Sequence, residues 1–327
     1  MTEAGSLESE EIAPVVEAMG LSSEAGKDVL ALVHSQNRVS VPRKDIILRW
    51  GPIVFDDNPL HRDESYASSV WGLEDVPAPA TLLNAELEQY SYGLTKAING
   101  RSARPFYLTG LDVSFKGWAL AGRSVMWEFK RALRRESGVV LQVKGTSKKE
   151  EIVSSKVFLS TEMPKLSEPE LWNVFLQNRD VVPKPYSVFE VTKSRVDDFK
   201  ECLRGCAPRM SLRRNRYDFG DEIPYMFPAA FVPAGLLSLI STATGSSEGV
   251  YLSSNFRFYN PSRVGQVRNL IVMPREPREI SGENPQQSGW MYGFKALQVQ
   301  VAESRRDVAK PILSADVKVL SKTKIEV

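Results

Sequence analysis

A long helical segment followed at once by strand-like segments limits the folds that this chain can adopt. The helix is predicted from Val76 to about Ile98, and prolines in its first turn are tolerated because the N–H that proline lacks has no partner there. Apolar residues at helical spacing predict a buried stripe of Leu82, Leu83, Leu87, Tyr90 and Leu94. Strands are predicted next at Tyr107–Trp118, Ser124–Leu133, Val139–Lys144 and Val153–Ser160. This order of elements indicates an α+β fold.

The second half of the chain repeats this order weakly. Asn255–Phe258 followed by Gly265 matches Asp112–Phe115 followed by Gly122, with the same interval from the phenylalanine to the glycine. A second buried helix is predicted to begin in Val232–Ser238, before strands at Val267–Pro274, Met291–Ala302 and Ile312–Val319. A duplicated unit is the economical interpretation. Two such units can pair their sheets edge to edge and leave fewer exposed edges.

A length of 327 residues suits two cores of ordinary size. The predicted divisions are an N-terminal helical extension (1–37), a first unit that carries the motif described below (38–162), a linker (163–186) and a second, degenerate unit (187–327). Strand character is predicted across Arg38–Phe55 because β-branched residues alternate there. The linker carries four prolines around a short predicted helix at Glu170–Gln177.

The composition is that of a globular protein, with 42% hydrophobic and 25% charged residues. A formal net charge of +2 gives no whole-molecule attraction to nucleic acid or to a membrane, and neither is predicted as a partner. The longest apolar runs fall far short of the roughly 20 residues that a spanning helix needs. The first residues are acidic and fit neither a signal peptide nor a transit peptide, so a cytoplasmic location is predicted.

The two cysteines and two histidines of the chain form no familiar metal-binding pattern. Cys202 and Cys206 are spaced to lie on one face of a predicted helix, Phe199–Cys206, without a second pair or a nearby histidine. We therefore predict a structural role for both cysteines and no bound metal. His34 lies at the end of a predicted helix, where histidines commonly interact with the helix dipole. That leaves His61 as the candidate for acid–base chemistry.

The candidate site is a loop in which Asp56 and His61 lie five positions apart. Pro59 fixes its own φ and moves Asn58 out of the helical region, so the two limbs of the loop can converge. Asp63 can cap the short helix that follows. The unperturbed pKa of histidine, about 6.5, lies near neutrality, so the pair suits chemistry in which one group removes a proton and the other delivers one.

The string Asp-x-Asn-Pro-x-His-x-Asp, followed by an alanine, resembles the signature of the MaoC-like (R)-specific enoyl-thioester hydratases and dehydratases. The matching residues are Asp56, Asn58, Pro59, His61, Asp63 and Ala67. The resemblance implies a tandem, or double, hotdog fold, in which a long helix is wrapped by an antiparallel sheet in each unit. It also implies catalysis by Asp56 and His61 with no cofactor.

Three features depart from the usual form of that family. Phe55 stands where a glycine or serine is common, and the motif lies in the first unit, whereas related eukaryotic double hotdogs usually carry it in the second. Ser211–Phe227 occupies the corresponding place in the second unit and contains no histidine, so one active site per chain is predicted. Counting from His61 puts Pro79 where many members have a glycine whose N–H holds the thioester oxygen.

The reaction implied by the resemblance needs a base for water, an acid for the α-carbon and a donor for the enolate oxygen. Asp56 and His61 can hold one water between them and serve the first two needs from one side, which implies syn geometry. The donor is predicted to be an N–H at the start of the long helix, from Ala80 or Thr81. Further candidates for substrate binding are Asn58 and Asn84, with Glu88 one turn beyond.

The leading hypothesis is a hydro-lyase that reversibly adds or removes water across an α,β-unsaturated acyl or polyketide-type thioester. The thioester carrier would be coenzyme A or a carrier protein, and the basic runs Arg209–Arg216 and Lys130–Arg135 are candidates to meet its phosphates. The Pro79 departure keeps open a dehydratase, isomerase or cyclase that acts on a released small molecule in a specialised pathway. A non-catalytic acyl-binding module is the third possibility. A monomer or a homodimer is expected.

Overall fold

A computed structural model describes residues 38–100, 105–135, 138–165, 184–206, 219, 221–233, 236, 249–275, 277–281, 288–300, 310–322 and 324. Several predicted features lie outside these ranges: the N-terminal extension with His34, the linker helix at Glu170–Gln177 and the basic run Arg209–Arg216. The proposed division of the chain at 163–186 stays a prediction for the same reason, although strand residues begin at Lys184.

Within these ranges the strands form one antiparallel sheet of eleven. They are β1 Arg38–Ser40, β2 Tyr107–Phe115, β3 Val125–Arg135, β4 Gly138–Ser147, β5 Glu150–Ser160, β6 Lys184–Glu190, β7 Gly249–Phe258, β8 Val267–Pro274, β9 Arg278–Ile280, β10 Gly289–Gln300 and β11 Lys310–Ser321. The order across the sheet is β1-β3-β4-β5-β2-β7-β11-β10-β8-β6, with β9 paired to β10. The four strands predicted in the first half are present with small shifts of their ends. The order in the second half mirrors the order in the first.

Four helices have both ends within the described ranges: α1 Lys44–Val54, α2 Glu64–Trp71, α3 Ala80–Asn99 and α4 Lys193–Gly205. Residues 226–233 are also helical and are called α5. The predicted helix start in Val232–Ser238 is therefore too late. The first N–H groups of α5 are satisfied by the side chain of Glu88, which is distant in sequence, so no local capping residue marks the true start.

The prediction of strand character across Arg38–Phe55 is wrong beyond the three residues of β1. Residues 44–54 are helical, and the buried side chains on α1 recur at helical spacing: Ile46, Ile47, Trp50, Ile53 and Val54. The strand preference of β-branched residues reflects how they pack and is weak by itself. Here the apolar face of α1 packs on α4, where the Trp50 and Phe199 rings lie 4.7 Å apart, and this burial favours the helix.

The two halves join where β2 pairs with β7, and the register there relates them by an approximate twofold axis. Asp112 pairs directly with Asn255, the residue to which the sequence repeat equates it. Equivalent residues face each other in an antiparallel pair only at a local twofold axis. Gly122 and Gly265, equated by the same repeat, both have positive φ, 72° and 83°. The predicted edge-to-edge pairing of two repeated units is confirmed.

The long helix α3 lies in the core of the first half. The predicted stripe of Leu82, Leu83, Leu87, Tyr90 and Leu94 is buried, with every member at most 2% exposed. Cys202 and Cys206 are buried free thiols in or next to α4, which agrees with a structural role. No helix in the described ranges combines the length and the apolar character needed to cross a bilayer.

Candidate active site

The aspartate of the motif is placed by a close contact at the end of α1. Phe55 has a left-handed backbone (φ 61°) and ends the helix, and the N–H of Asp56 donates to the carbonyl oxygen of Gly51 at 2.9 Å. A Cβ atom on residue 51 would lie only 2.6 Å from the Asp56 carbonyl oxygen, so the turn requires glycine at this position. The result is an Asp56 side chain that is 3% exposed.

Asn58 holds the motif loop and ties it to the second half of the chain. Its side-chain oxygen accepts from the N–H of Leu60 at 3.1 Å, and its amide nitrogen donates to the carbonyl oxygen of Gly249 in β7 at 2.8 Å. The N–H of Asn58 in turn donates to Asp56 Oδ1 at 3.2 Å. Asn58 is buried and is not in the wall of the cavity described below. Its side chain therefore orders the loop, and its predicted contact with substrate stays a prediction.

The rest of the motif folds as its residue types indicate. Pro59 begins a short 3₁₀ turn, Pro59–His61. The Asp63 carboxylate accepts from the N–H groups of Ser65 and Tyr66 at 2.8 and 3.1 Å and so caps α2 as predicted. These local bonds set the direction of His61.

His61 is oriented by a backbone carbonyl from the segment before α3. Its Nδ1 lies 2.9 Å from the carbonyl oxygen of Pro77, and because a carbonyl only accepts, Nδ1 carries the proton of the neutral ring. The lone pair of the neutral imidazole then lies on Nε2, which is 3.9 Å from Asp56 Oδ2. This distance is too long for a direct hydrogen bond and fits one water bonded to both atoms.

Asp56 and His61 lie in the wall of a cavity of about 570 Å³. Apolar side chains of the first half line much of it, including Leu60, Trp71, Leu73 and Trp118. The second half contributes further wall residues, as the sequence had predicted: Val250, Tyr251, Leu252, Ile280 and Leu320. A mostly apolar cavity with a few polar groups in its wall is the usual form of a small-molecule site.

The start of α3 supplies donors to the same cavity. Ala80 and Thr81 line it, and Pro79 precedes them as the N-cap residue. The N–H groups of Leu82 and Leu83 donate to the Pro79 carbonyl oxygen. Within the described residues, those of Ala80 and Thr81 have no protein acceptor, as expected for the first positions of a helix. The hydroxyl of Thr81 accepts a hydrogen bond from Trp50 Nε1 at 2.9 Å.

Asn84 lies one turn further along α3 and contacts the second half. Its amide nitrogen donates to the hydroxyl of Tyr251 at 3.1 Å, and both side chains are buried. Tyr251 is in the cavity wall whereas Asn84 is not. Asn84 therefore stands behind Tyr251, and its predicted contact with substrate stays a prediction. Burial raises the pKa of the Tyr251 hydroxyl, so this group stays protonated at neutral pH.

Glu88 does not reach the cavity and serves as a cap between the halves. Its two carboxyl oxygens accept from the N–H groups of Tyr225 and Met226 at 2.6 and 2.9 Å, at the start of α5. Burial raises the pKa of Glu88 to about 8, against the opposing effect of these two bonds. Glu88 therefore makes a buried structural contact, and it lies on α3, the helix whose first residues line the cavity.

The positive side chains near the mouth of the cavity are paired with negative ones. Lys116 bonds to Glu151 at 2.5 Å, and Arg123 pairs with Glu74, which also lies 4.0 Å from Lys148. The basic run Lys130–Arg135 does not line the cavity. Within the described residues, the cations around this mouth are therefore ion-paired.

No family model and no curated protein sequence matches this chain. Solved structures do match it. A protein from Mycobacterium tuberculosis described as having a double hotdog fold is 11% identical, with a TM-score of 0.57 over 86% of this chain and 93% of the other. The fold is a double hotdog. A MaoC domain protein dehydratase from Chloroflexus aurantiacus is 12% identical (TM-score 0.58, 88% and 95% covered), and a MaoC-like dehydratase is 11% identical (TM-score 0.54, 88% and 96% covered).

Three residues of this double hotdog that shape the site are not among those selected from the sequence. Trp50 lies in the segment predicted as strand, so its contact with Thr81 had no local signal. Gly51 lies in the same segment, and no local pattern predicted how closely the Asp56 carbonyl oxygen approaches it. Tyr251 reaches the cavity only because β7 lies beside β2, and no pattern in the sequence predicted which residues of β7 would face the first half.

Proposed function

We propose that this double hotdog protein is a hydro-lyase that uses Asp56 and His61 to add water to, or remove it from, an α,β-unsaturated acyl or polyketide-type thioester. One observation carries the proposal. The lone pair of His61 Nε2 and the Asp56 carboxylate lie 3.9 Å apart in the wall of a largely apolar cavity, each fixed by backbone contacts.

In the proposed hydration, a water bonded to His61 Nε2 and Asp56 Oδ2 attacks the β-carbon of the substrate. One O–H bond of the water breaks and its proton passes to one of these two bases. The hydroxyl group bonds to the β-carbon, and the double-bond electrons move to the carbonyl oxygen as an enolate. The protonated base then delivers its proton to the α-carbon, which restores the pair. Dehydration is the reverse sequence.

The enolate oxygen would be stabilised at the start of α3. The backbone N–H groups of Ala80 and Thr81 lie at the positive end of a helix of 20 residues and have no protein acceptor within the described ranges. They would supply the donors that Pro79 cannot. One such donor commonly contributes about 10²–10³ in rate.

We propose that the second half, residues 187–327, closes the cavity and carries no acid–base pair of its own. Val250, Leu252 and Leu320 supply an apolar wall suited to an acyl chain. Coenzyme A or a carrier protein would present the thioester. The chain would act as a monomer or a homodimer.

A released small molecule is the second candidate substrate. The cations at the mouth of the cavity are already paired with Glu74 and Glu151, which leaves no free cation there for a phosphate within the described residues. The same dyad would then dehydrate, isomerise or cyclise an unsaturated acid or ketone. The dyad itself argues against a binding module without activity, since a binding protein has no need of both groups.

The test compares turnover of crotonyl-coenzyme A with turnover of a released enone, each followed by loss of the conjugated absorbance. We expect Asp56→Asn and His61→Ala to abolish turnover while the protein stays folded. Asp57→Asn is the matched control, because the Asp57 side chain is 82% exposed, and it should retain full activity. Full activity of both dyad variants would contradict the proposal.

A further inference from the structure

The hydroxyl of Thr81 accepts a hydrogen bond from the protein, and its proton is therefore available for a further bond. A threonine hydroxyl has one proton and two lone pairs, whereas an indole N–H only donates. The contact of 2.9 Å from Trp50 Nε1 therefore uses a lone pair of Thr81 Oγ, and the hydroxyl proton is left to be donated elsewhere. Thr81 is only 2% exposed, so this proton is not satisfied by bulk solvent.

The usual acceptor for such a proton already accepts a hydrogen bond from another side chain. On the same helix Ser91 and Thr95 donate back to the carbonyl oxygens four residues earlier, at 2.7 and 2.8 Å. The carbonyl in that position for Thr81 belongs to Pro77, and it accepts from His61 Nδ1. Within the described residues the Thr81 hydroxyl takes part in a hydrogen bond only as the acceptor from Trp50.

Trp50 fixes this arrangement from behind the cavity. Its side chain is fully buried, and its ring packs 4.7 Å from that of Phe199 on α4. It lies on α1, six residues before Asp56, so one rigid helix supports both the base and the residue that orients Thr81.

We infer that the Thr81 hydroxyl donates a hydrogen bond to the carbonyl oxygen of the substrate and that Trp50 is the positioning residue that makes it a donor. The inference rests on the proposed hydro-lyase function. Thr81 lies in the same wall as Asp56 and His61 and directly follows Pro79 and Ala80, where a donor to the enolate oxygen is needed. It requires a substrate in which a carbonyl is conjugated with the reacting double bond.

The test measures kcat and KM for crotonyl-coenzyme A with three variants and one double variant. Thr81→Val keeps the shape and removes the donor, and kcat should fall about 100-fold with KM nearly unchanged. Thr81→Ser keeps the hydroxyl and should retain most of the activity. Trp50→Phe removes the indole N–H, and kcat should fall about 10-fold because the hydroxyl can then turn away. The Trp50→Phe/Thr81→Val double variant should be no slower than Thr81→Val alone.

Each result tests one part of the inference about Thr81 and Trp50. If Thr81→Val turns over as fast as the wild type, the role of the hydroxyl is overturned and the Asp56–His61 proposal stays intact. Losses that multiply in the double variant would show that Trp50 acts only through packing and would overturn its positioning role. Should Thr81→Val fail to fold, Thr81→Ala gives the same comparison against Thr81→Ser. A wild-type protein inactive on both crotonyl-coenzyme A and a released enone would overturn the proposed function, and this inference with it.

Discussion

His61 Nδ1 lies 2.9 Å from the carbonyl oxygen of Pro77, and this contact makes Nε2 the nitrogen that faces Asp56. The carbonyl belongs to the segment that leads into α3, so the ring direction and the start of that helix are fixed together. The geometry of the site therefore depends on both the motif loop and the long helix.

The first prediction concerns the tautomer of His61. The neutral ring should carry its proton on Nδ1, because the Pro77 carbonyl accepts from that atom. Nitrogen-15 shifts of labelled histidine in a His34→Gln background, which leaves His61 as the one histidine of the chain, measure this directly. A neutral ring protonated on Nε2 would contradict the orientation described.

Gly51 should not tolerate a side chain. A Cβ atom there would lie 2.6 Å from the Asp56 carbonyl oxygen, so Gly51→Ala should displace Asp56, lower the free energy of unfolding by about 1–3 kcal/mol and sharply reduce kcat. Urea denaturation and turnover assays check both effects. Gly293→Ala is the control, because a Cβ at that position meets only ordinary contacts of 3.5 Å or more.

Asn58 should matter for the order of the loop and for stability. Asn58→Ala removes the acceptor for Leu60 N–H and the donor to Gly249, and the free energy of unfolding should fall by about 1–3 kcal/mol with a loss of activity. Asn260→Ala removes a similar bond, to the carbonyl oxygen of Pro311, far from the dyad. It should lower stability without lowering kcat. Equal activity losses in the two variants would argue against a local role for Asn58.

Glu88 should make stability depend on pH. Its pKa is raised to about 8 in the folded protein by burial, from an ordinary value of 4.5, so the folded state holds a proton that the unfolded state releases between these values. The free energy of unfolding should therefore fall as pH rises from about 4.5 to about 8, by at most about 1.4 kcal/mol per pH unit, and then level off.

Glu88→Gln should remove this slope, since the amide keeps an acceptor oxygen and does not titrate. Chemical denaturation across that pH range measures it. The same substitution at the exposed Glu162 should leave the slope unchanged. A slope that is the same in the wild type and in Glu88→Gln would contradict a protonated Glu88 in the folded state.

Much of the fold and the convergence of Asp56 and His61 on one cavity could be predicted because their signals are local. The stripe on α3 and the cap at Asp63 depend on residues within a few positions of each other, and both are observed. The error at α1 arose because a β-branched run is ambiguous until its burial partner on α4 is known.

Contacts between distant segments could not be predicted from the sequence patterns. Trp50 reaches Thr81, and Asn84 reaches Tyr251 across 167 positions, which no spacing rule predicts. Asn58 and Asn84 were predicted to contact substrate, and that prediction concerns their position near the dyad. Each proved to bond a protein group that comes close only in the assembled double hotdog.

The stereochemistry of hydration tests the central claim most directly. In the proposed mechanism Asp56 and His61 hold one water on one side of the substrate, so the hydroxyl group and the proton should add to the same face. Hydration of crotonyl-coenzyme A in deuterium oxide, followed by proton NMR of the 3-hydroxybutyryl product, measures the relative configuration at the two carbons. The account predicts syn addition, with one deuterium at C2 on the face of the new hydroxyl. Anti addition, or deuterium on both faces of C2, would contradict it.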